Sequence, residues 1–409
     1  MISRKIIKSI IMGIITINKA LKMKSFFNVG LLCCLVLVCS CNKTRPEDAA
    51  DFKYNITMGD TLDVPTWGSL IDSVCYIPLK TDSNTIMDVV EQLVVKDNLI
   101  YVLANGVYCF DMEGNSKFKI NKGRARNEFI NATTLSVSDG HLYLYDSSKH
   151  KGIVYDAQTG EFIENVDIPV GGRRVYFIGD YFIFDDVQSE GPDNTRFKVY
   201  SKKRPDLEKV GYFSEKEHER SIGGTISWSN DGLIYSSYLR NLSWKINGKE
   251  CIPYIKIIVP EGKRLPDKTI NYMISEGTIS LKEYNTPNAI YGLSYLAECD
   301  GFITGQVIDN KTRWPVFFIY DKETGNARFF SSLANKEPWQ KIPIGEVSTG
   351  DANCMYTIVT SESVILSKEV LGGVGNEPME EKFRQAYNVY CSVKEDDNPI
   401  VARFWLKGL

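Results

Sequence analysis

Six short runs of apolar and aromatic residues recur along this chain at wide, similar intervals. They are Leu99-Ile-Tyr-Val-Leu103, Leu142-Tyr-Leu-Tyr145, Tyr181-Phe-Ile-Phe184, Leu233-Ile-Tyr235, Gly301-Phe-Ile-Thr304 and Met355-Tyr-Thr-Ile-Val359. Each is about the length of one β-strand. Runs such as Tyr181 to Phe184 are apolar at odd and even positions alike. Successive strand side chains point to opposite faces, so sheets built from these runs must be covered on both faces. Nothing between the runs supplies enough helix for that cover. The sheets must therefore cover one another, and a period of about 40–50 residues with insertions is the mark of such repeats.

The punctuation agrees. Three units carry a strand ending in Asp that enters a turn closed by Gly: Tyr108-Cys-Phe-Asp111-Met-Glu-Gly114, Ile153-Val-Tyr-Asp156-Ala-Gln-Thr-Gly160 and Phe318-Ile-Tyr-Asp321-Lys-Glu-Thr-Gly325. Asp bonds the turn's own backbone, and Gly takes the positive φ. Six units follow, at 89–120, 132–170, 173–213, 224–260, 289–333 and 346–406. The last lacks an outer strand, while Asp72-Ser-Val-Cys-Tyr-Ile-Pro-Leu-Lys80 precedes the first as an orphan. Pairing that orphan with Pro399 to Leu406 closes a ring and removes an exposed edge. The expected fold is all-β, a six-bladed β-propeller with an N-terminal strand closing the last blade, plus one short C-terminal helix. A two-sheet sandwich or two smaller β domains is the alternative. The helix is expected from Asn376, a capping residue, through Pro378 and Lys382 to Val393, with Phe383, Tyr387 and Tyr390 on one stripe.

The segment before Cys41 differs from the rest. It holds six basic residues and no acid, which leaves 42 basic against 51 acidic groups beyond it. That acidic balance excludes a general nucleic-acid binder, which needs a basic surface. Read from Met23, Lys24 is followed by the apolar stretch Val29 to Val38, too short to span a bilayer but suited to a signal peptide. A small residue, Ser40, then precedes Cys41, which resembles the lipobox of bacterial lipoproteins. The resemblance implies cleavage after Ser40 and lipid on Cys41. An uncleaved membrane anchor is the alternative. Residues before Met23 read as an upstream start or an extended n-region. The expected organisation is a signal peptide over 1–40, a lipidated tether over 41–68 and the propeller over 69–409. The expected place is the cell envelope, on the outer membrane, facing either the periplasm or the surface. Six cysteines would remain after processing: Cys75, Cys109, Cys251, Cys299, Cys354 and Cys391. None has C-x-x-C spacing, and most sit in apolar runs, where a free buried thiol is the common state.

The start Ser69-Leu-Ile-Asp-Ser-Val-Cys-Tyr-Ile-Pro-Leu-Lys-Thr81, the repeated Asp-to-Gly hairpins and the ending Glu395-Asp-Asp-Asn-Pro-Ile-Val401 together resemble the six-bladed β-propeller lipoproteins of gut anaerobes, relatives of NHL-type propellers. Most members of that family have no assigned activity. The family's glycine-rich loop after the first blade, Gly-x-Gly-Pro-Gly-Glu, here reads Lys122-Gly-Arg-Ala-Arg-Asn-Glu-Phe129. One Gly and the Glu remain.

No G-x-S-x-G, H-E-x-x-H, P-loop or D-x-D-x-D-G segment is present, and with only His141, His150 and His218 no metal site and no cofactor is expected. The connections between blades share one face with the second-to-third strand loops. They carry Arg124, Arg126, Arg173, Arg174, His218, Arg220, Arg240, Arg313, Trp314 and Trp339. Guanidinium groups around one mouth can clamp a carboxylate or phosphate, and the tryptophans can stack on a sugar or peptide. Solvated loop charges are the plainer reading. The long connection Glu261 to Asn288 is expected as a partly helical lid. Two functions follow: a lipid-anchored binding or scaffold protein for a glycan, peptide or partner protein, or a propeller hydrolase or lyase using loop acids such as Asp185, Asp186, Glu190, Asp309 and Glu337. Converging acids would favour the second.

Overall fold

The computed structural model describes residues 51–59, 70–168, 174–185, 197–202, 207–210, 225–229, 231–237, 239–266, 268–270, 272, 288–312, 314–330, 347–370 and 381–409. The chain divides at residue 50 into two units, and the second holds six separate sheets, each built on four antiparallel strands. Blade 1 is Gln92–Lys96, Leu99–Leu103, Val107–Asp111 and Ser116–Ile120. Blade 2 is Ala132–Ser138, His141–Asp146, Lys151–Asp156 and Phe162–Asp167. Blade 3 is Arg174–Ile178, Tyr181–Asp185, Phe197–Ser201 and Leu207–Val210. Blade 4 is Thr225–Ser229, Gly232–Ser237, Leu242–Asn247 and Glu250–Ile258. Blade 5 is Ile290–Glu298, Phe302–Asp309, Trp314–Asp321 and Ala327–Phe330. The first strands of neighbouring blades touch: 1 with 2, 2 with 3, 4 with 5, 5 with 6 and 6 with 1. Between blades 3 and 4 the contact is Tyr176 edge-on to Trp228, 5.9 Å between ring centres. The six first strands thus line one axis, as the expected propeller requires.

Blade 6 is built from both ends of the propeller. Val347–Gly350, Met355–Val359 and Ile400–Leu406 form three strands, and Ile71–Pro78 adds the outermost one, antiparallel, from Ile71 opposite Leu406 to Pro78 opposite Ile400. The orphan strand closes the ring as the sequence indicates. Its free edge is covered in turn: the Gln385 side chain accepts from the Tyr76 N–H at 2.9 Å and donates to the Tyr76 carbonyl at 2.6 Å. One side-chain amide replaces a neighbouring strand.

Strand alternation explains the two-sided hydrophobicity. Every residue of Leu99–Leu103 is buried. Leu99, Tyr101 and Leu103 join a core with Leu135, Leu142 and Leu144 of blade 2. Ile100 and Val102 join another, with Ile77, Tyr356 and Val401 of blade 6. One strand therefore feeds two inter-blade cores, and each fully buried large side chain contributes about 1.5–3 kcal/mol. The Asp-to-Gly turns form as read. Asp111 Oδ1 accepts from the N–H groups of Glu113 and Asn115 at 3.0 and 2.8 Å. Asp156 and Asp321 bond their own turns in the same way. Gly114 has φ 82°.

The structure departs from the sequence reading in two places. Tyr54–Thr57, inside the stretch read as tether, forms a fifth strand on blade 4, parallel to Glu250–Ile258. Its alternating burial places Ile56 in the core between blades 4 and 5, so the folded unit begins before residue 69. The expected C-terminal helix is present, as a 3-10 turn over Glu381–Phe383 that leads into a helix over Arg384–Ser392; its expected start at Asn376 lies outside the described residues. A further helix spans Ser361–Val370. Thr360 caps it by accepting the Ser363 N–H at 3.2 Å, a local signal present in the sequence.

Candidate functional site

The axis carries a cavity at each end. The face shared by blade connections and second-to-third strand turns opens into one of about 200 Å³. Its lining comes from the first strands: Gln92 from blade 1, Thr133 and Thr134 from blade 2, Arg174 and Tyr176 from blade 3, Ser227 and Trp228 from blade 4, and Tyr295 from blade 5. Glu91 is the one acid among the described lining residues. Gln92 is fixed by exchanging hydrogen bonds with the Leu135 backbone, donating at 2.7 Å and accepting at 2.9 Å. The Thr134 hydroxyl donates to the Val175 carbonyl. Arg174 is different. It is exposed, opens the first strand of blade 3, and its guanidinium has no hydrogen-bond or ion-pair partner among the described residues. The opposite face opens into a wider cavity of about 690 Å³, and Trp228 lines both.

The other sequence candidates disperse. Arg124 and Arg126 are exposed in the loop between blades 1 and 2 but line neither cavity. The Arg126 guanidinium lies 5.6 Å over the ring of Phe162, which belongs to the outermost strand of blade 2. It faces the perimeter, so it cannot act at the axis. Arg240 lies in the turn between the second and third strands of blade 4, half-buried. Arg173, His218, Arg220, Arg313 and Trp339 lie outside the described residues. Trp314 opens the third strand of blade 5, opposite Asp309. His150 ends the second-to-third turn of blade 2 with φ 51°, and His141 opens a strand of that blade. Of the expected lid, residues 268–270 are helical, and Leu265 and Ile270 are buried against Leu239 and Tyr291. The remainder, 273–287, lies outside the described residues.

The glycine-poor loop has a self-contained structure. The Glu128 carboxylate accepts the Ala125 N–H at 2.9 Å. A Cβ on Gly123 would lie 2.0 Å from that carboxylate, so the two residues retained from the family's motif depend on each other. Asp146, fully buried, accepts N–H groups from both Ile130 and Ser148, at 2.7 and 2.9 Å. Lys149 donates to the carbonyls of Ala125 and Glu128 at 3.1 and 2.6 Å. The loop is thus tied to the next blade.

Sequence reasoning misses an ionic network between blades 4 and 5. Lys245 bridges Asp231 at 2.6 Å and Glu298 at 3.0 Å, and Lys322 reaches Glu298 at 2.6 Å. Tyr254 also donates to Glu298. Burial pushes the Glu298 pKa up, but hydrogen bonds from Lys322 and Tyr254 and the charges of both lysines outweigh it, and the net shift is down. Desolvation works against the Lys245 charge, and Asp231 and Glu298 reverse it, so its pKa rises. The network is balanced, two cations against two anions, and the edge strand covers it: Tyr54 packs edge-on to Tyr254 and Tyr320 at 5.3 and 5.5 Å. No motif could disclose it, because its members lie on separate strands.

The six cysteines expected in the processed chain are all free thiols. Burial pushes Cys109 and Cys251 up to about 12, which leaves them protonated and unreactive near neutrality. Among the described residues no group of three or more His, Cys, Asp or Glu side chains is placed to hold a metal.

The fold defines a six-bladed propeller with a cavity at each end of its axis. The chain belongs to the family described as a domain of unknown function (DUF4934), whose model matches residues 56–404. A solved protein of Bacteroides fragilis, inferred to be exported, is 16% identical, aligns over 86% of this chain and 99% of its own, and superposes with a TM-score of 0.68. At that identity the likeness concerns the fold alone. Hydrazine synthase of Kuenenia stuttgartiensis (13% identical, 79% of this chain and 88% of that one, TM-score 0.36) and glutaminyl cyclase of Myxococcus xanthus (11%, 63% and 95%, 0.30) are remote and carry no argument. No curated protein matches significantly.

Proposed function

We propose that this chain is a lipid-anchored protein of the cell envelope that binds a glycan, peptide or partner protein at the axial mouth bearing Arg174, through an acidic group on the ligand. The observation that carries this reading is Arg174 itself: an exposed guanidinium with no partner among the described residues, beside Tyr176, Trp228 and Tyr295. Aromatic faces suit a sugar ring or a peptide, and guanidinium suits a carboxylate or phosphate. The inferred export of the Bacteroides fragilis protein and the lipobox-like Ser40-Cys41 support the location; Cys41 would carry the lipid and the membrane would be its first partner. Among the described residues no helix is long and apolar enough to cross a membrane.

The hydrolase or lyase reading has less behind it. Asp185 is buried, in register with Arg174. Asp309 accepts its own turn's Lys311 N–H at 2.8 Å. Asp186, Glu190 and Glu337 lie outside the described residues. The test is a glycan and peptide array probed with wild-type and Arg174→Gln protein. Acid-bearing ligands should be retained by the wild type and lost by the variant. Equal retention by both would end the reading.

A further inference from the structure

The opposite mouth has the reverse electrostatic character. Every turn between a blade's first and second strands carries an aspartate: Asp97, Asp139, Asp180, Asp231, Asp300 and Asp351. Aspartate is a common turn residue, and some of these are accounted for locally. Asp351 accepts from Asn353 and Cys354 N–H groups and from the Tyr356 hydroxyl at 2.7 Å, and Asp231 is neutralised by Lys245. The ring of aspartates alone is therefore turn chemistry.

Three further observations turn this mouth into a site. Asp97, Asp139, Asp231 and Asp351 line the 690 Å³ cavity, a size typical of ligand pockets, whose wall is apolar and aromatic at Val137, Phe177, Trp228 and Tyr356. Asp97 and Asp139 are exposed and form no salt bridge among the described residues. Lys202, whose charge reaches Asp139, donates to the Tyr143 hydroxyl at 2.8 Å. Finally, Thr349 lines the cavity, and its hydroxyl, which has no partner among the described residues, is open to whatever fills it.

We propose that this mouth binds an organic polycation, with ammonium groups spaced along a methylene chain. The separated carboxylates Asp97 and Asp139 take ammonium groups at the rim. The Thr349 hydroxyl accepts one N–H, and the aromatic wall covers the methylenes and adds cation–π attraction. Lys96 is the one base among the described lining residues. A divalent metal is a poor fit, since it needs oxygens converging at about 2.3–2.6 Å and no such group is formed by the described residues. The same chemistry is offered by a free polyamine and by a lysine-rich segment of a partner protein. The inference does not rest on Arg174.

The test is calorimetric titration of the purified full chain with spermidine and, separately, with a short lysine-rich peptide. Saturable binding of spermidine assigns a free amine; binding of the peptide alone assigns a protein segment; either supports the proposal. The double variant Asp97→Asn, Asp139→Asn should weaken binding at least about tenfold, since two charge contacts are lost. Thr349→Val should weaken it several-fold, and Arg174→Gln should leave it unchanged. Wild-type protein that binds neither probe at millimolar concentration would overturn the proposal. So would a double variant with unaltered melting temperature and wild-type affinity. Should the double variant not fold, undiminished binding by Thr349→Val would count against it in the same way.

Discussion

Replacing Gln385 by Ala should loosen the closure of the ring. Gln385 makes two hydrogen bonds to one residue of the outermost strand, at 2.9 Å to the Tyr76 N–H and 2.6 Å to its carbonyl. A typical intramolecular hydrogen bond contributes about 0.5–1.5 kcal/mol net, and a buried group left unsatisfied costs about 1–3 kcal/mol. Both bonds are half-buried, so water can restore part of the loss, and about 2 kcal/mol is expected for the pair. For a folded unit running from Asp51 to Leu409, the average unfolding entropy per residue converts that to a melting-temperature drop of about 3 °C. Thermal denaturation measures the total, and hydrogen exchange at the Tyr76 amide measures the local opening. The companion variant Gln385→Glu separates the two bonds. At neutral pH its carboxylate can accept from Tyr76 but cannot donate to it, so it should fall between wild type and Ala. A Gln385→Ala protein with unchanged melting and unchanged Tyr76 protection would refute the idea that this amide stands in for a strand. So would a Glu variant as stable as wild type.

Three other positions give expected outcomes. Glu298→Ala leaves Lys245 and Lys322 facing each other in a buried site, and breaking such a network costs about 3–5 kcal/mol, read as a lowered denaturation midpoint. Because the folded Glu298 pKa is depressed, its contribution is present above the ordinary carboxylate pKa and is lost as pH falls through the folded value; Glu298→Gln should therefore show a shallower loss of melting temperature between pH 6 and pH 3. Gly114→Ala combines φ 82° with a Cβ placed 2.1 Å from the Pro78 carbonyl oxygen, at the end of the closing strand, and should destabilise by at least about 2 kcal/mol. Cys41→Ser should abolish palmitate labelling and release the protein from the membrane fraction; labelling that persists would exclude Cys41 as the acceptor.

Much of the architecture is legible in the sequence because its determinants are local. Tyr181 to Phe184 announces a strand covered on both faces, Asp156 to Gly160 announces a tight turn, and six copies at similar spacing leave few folds open. Even the closure is readable, since blade 6 lacks one strand and Val74 to Leu79 has no other partner. The edge strand Tyr54–Thr57 is not, because a short segment of mixed polarity says nothing until the edge of blade 4 offers Ile255 to Ile258 as a template. The helix Ser361–Val370 escapes for another reason: its cap, Thr360, continues a strand pattern without a break.

The channel is illegible in a more basic way. Its walls are contributed one or two side chains at a time by strands a whole blade apart in sequence, so no window of sequence contains a site. Exposed loop arginines draw notice because charge in a loop is conspicuous, yet Arg126 directs its charge to the perimeter ring of Phe162, while Arg174 owes its position to being the first residue of an innermost strand. The same logic inverts the meaning of the turn aspartates. In sequence each is explained by its own turn, and only the ring symmetry brings these turns to one mouth. A function of this fold is therefore to be sought at strand starts and first turns, where closure converts unremarkable local chemistry into a shared surface.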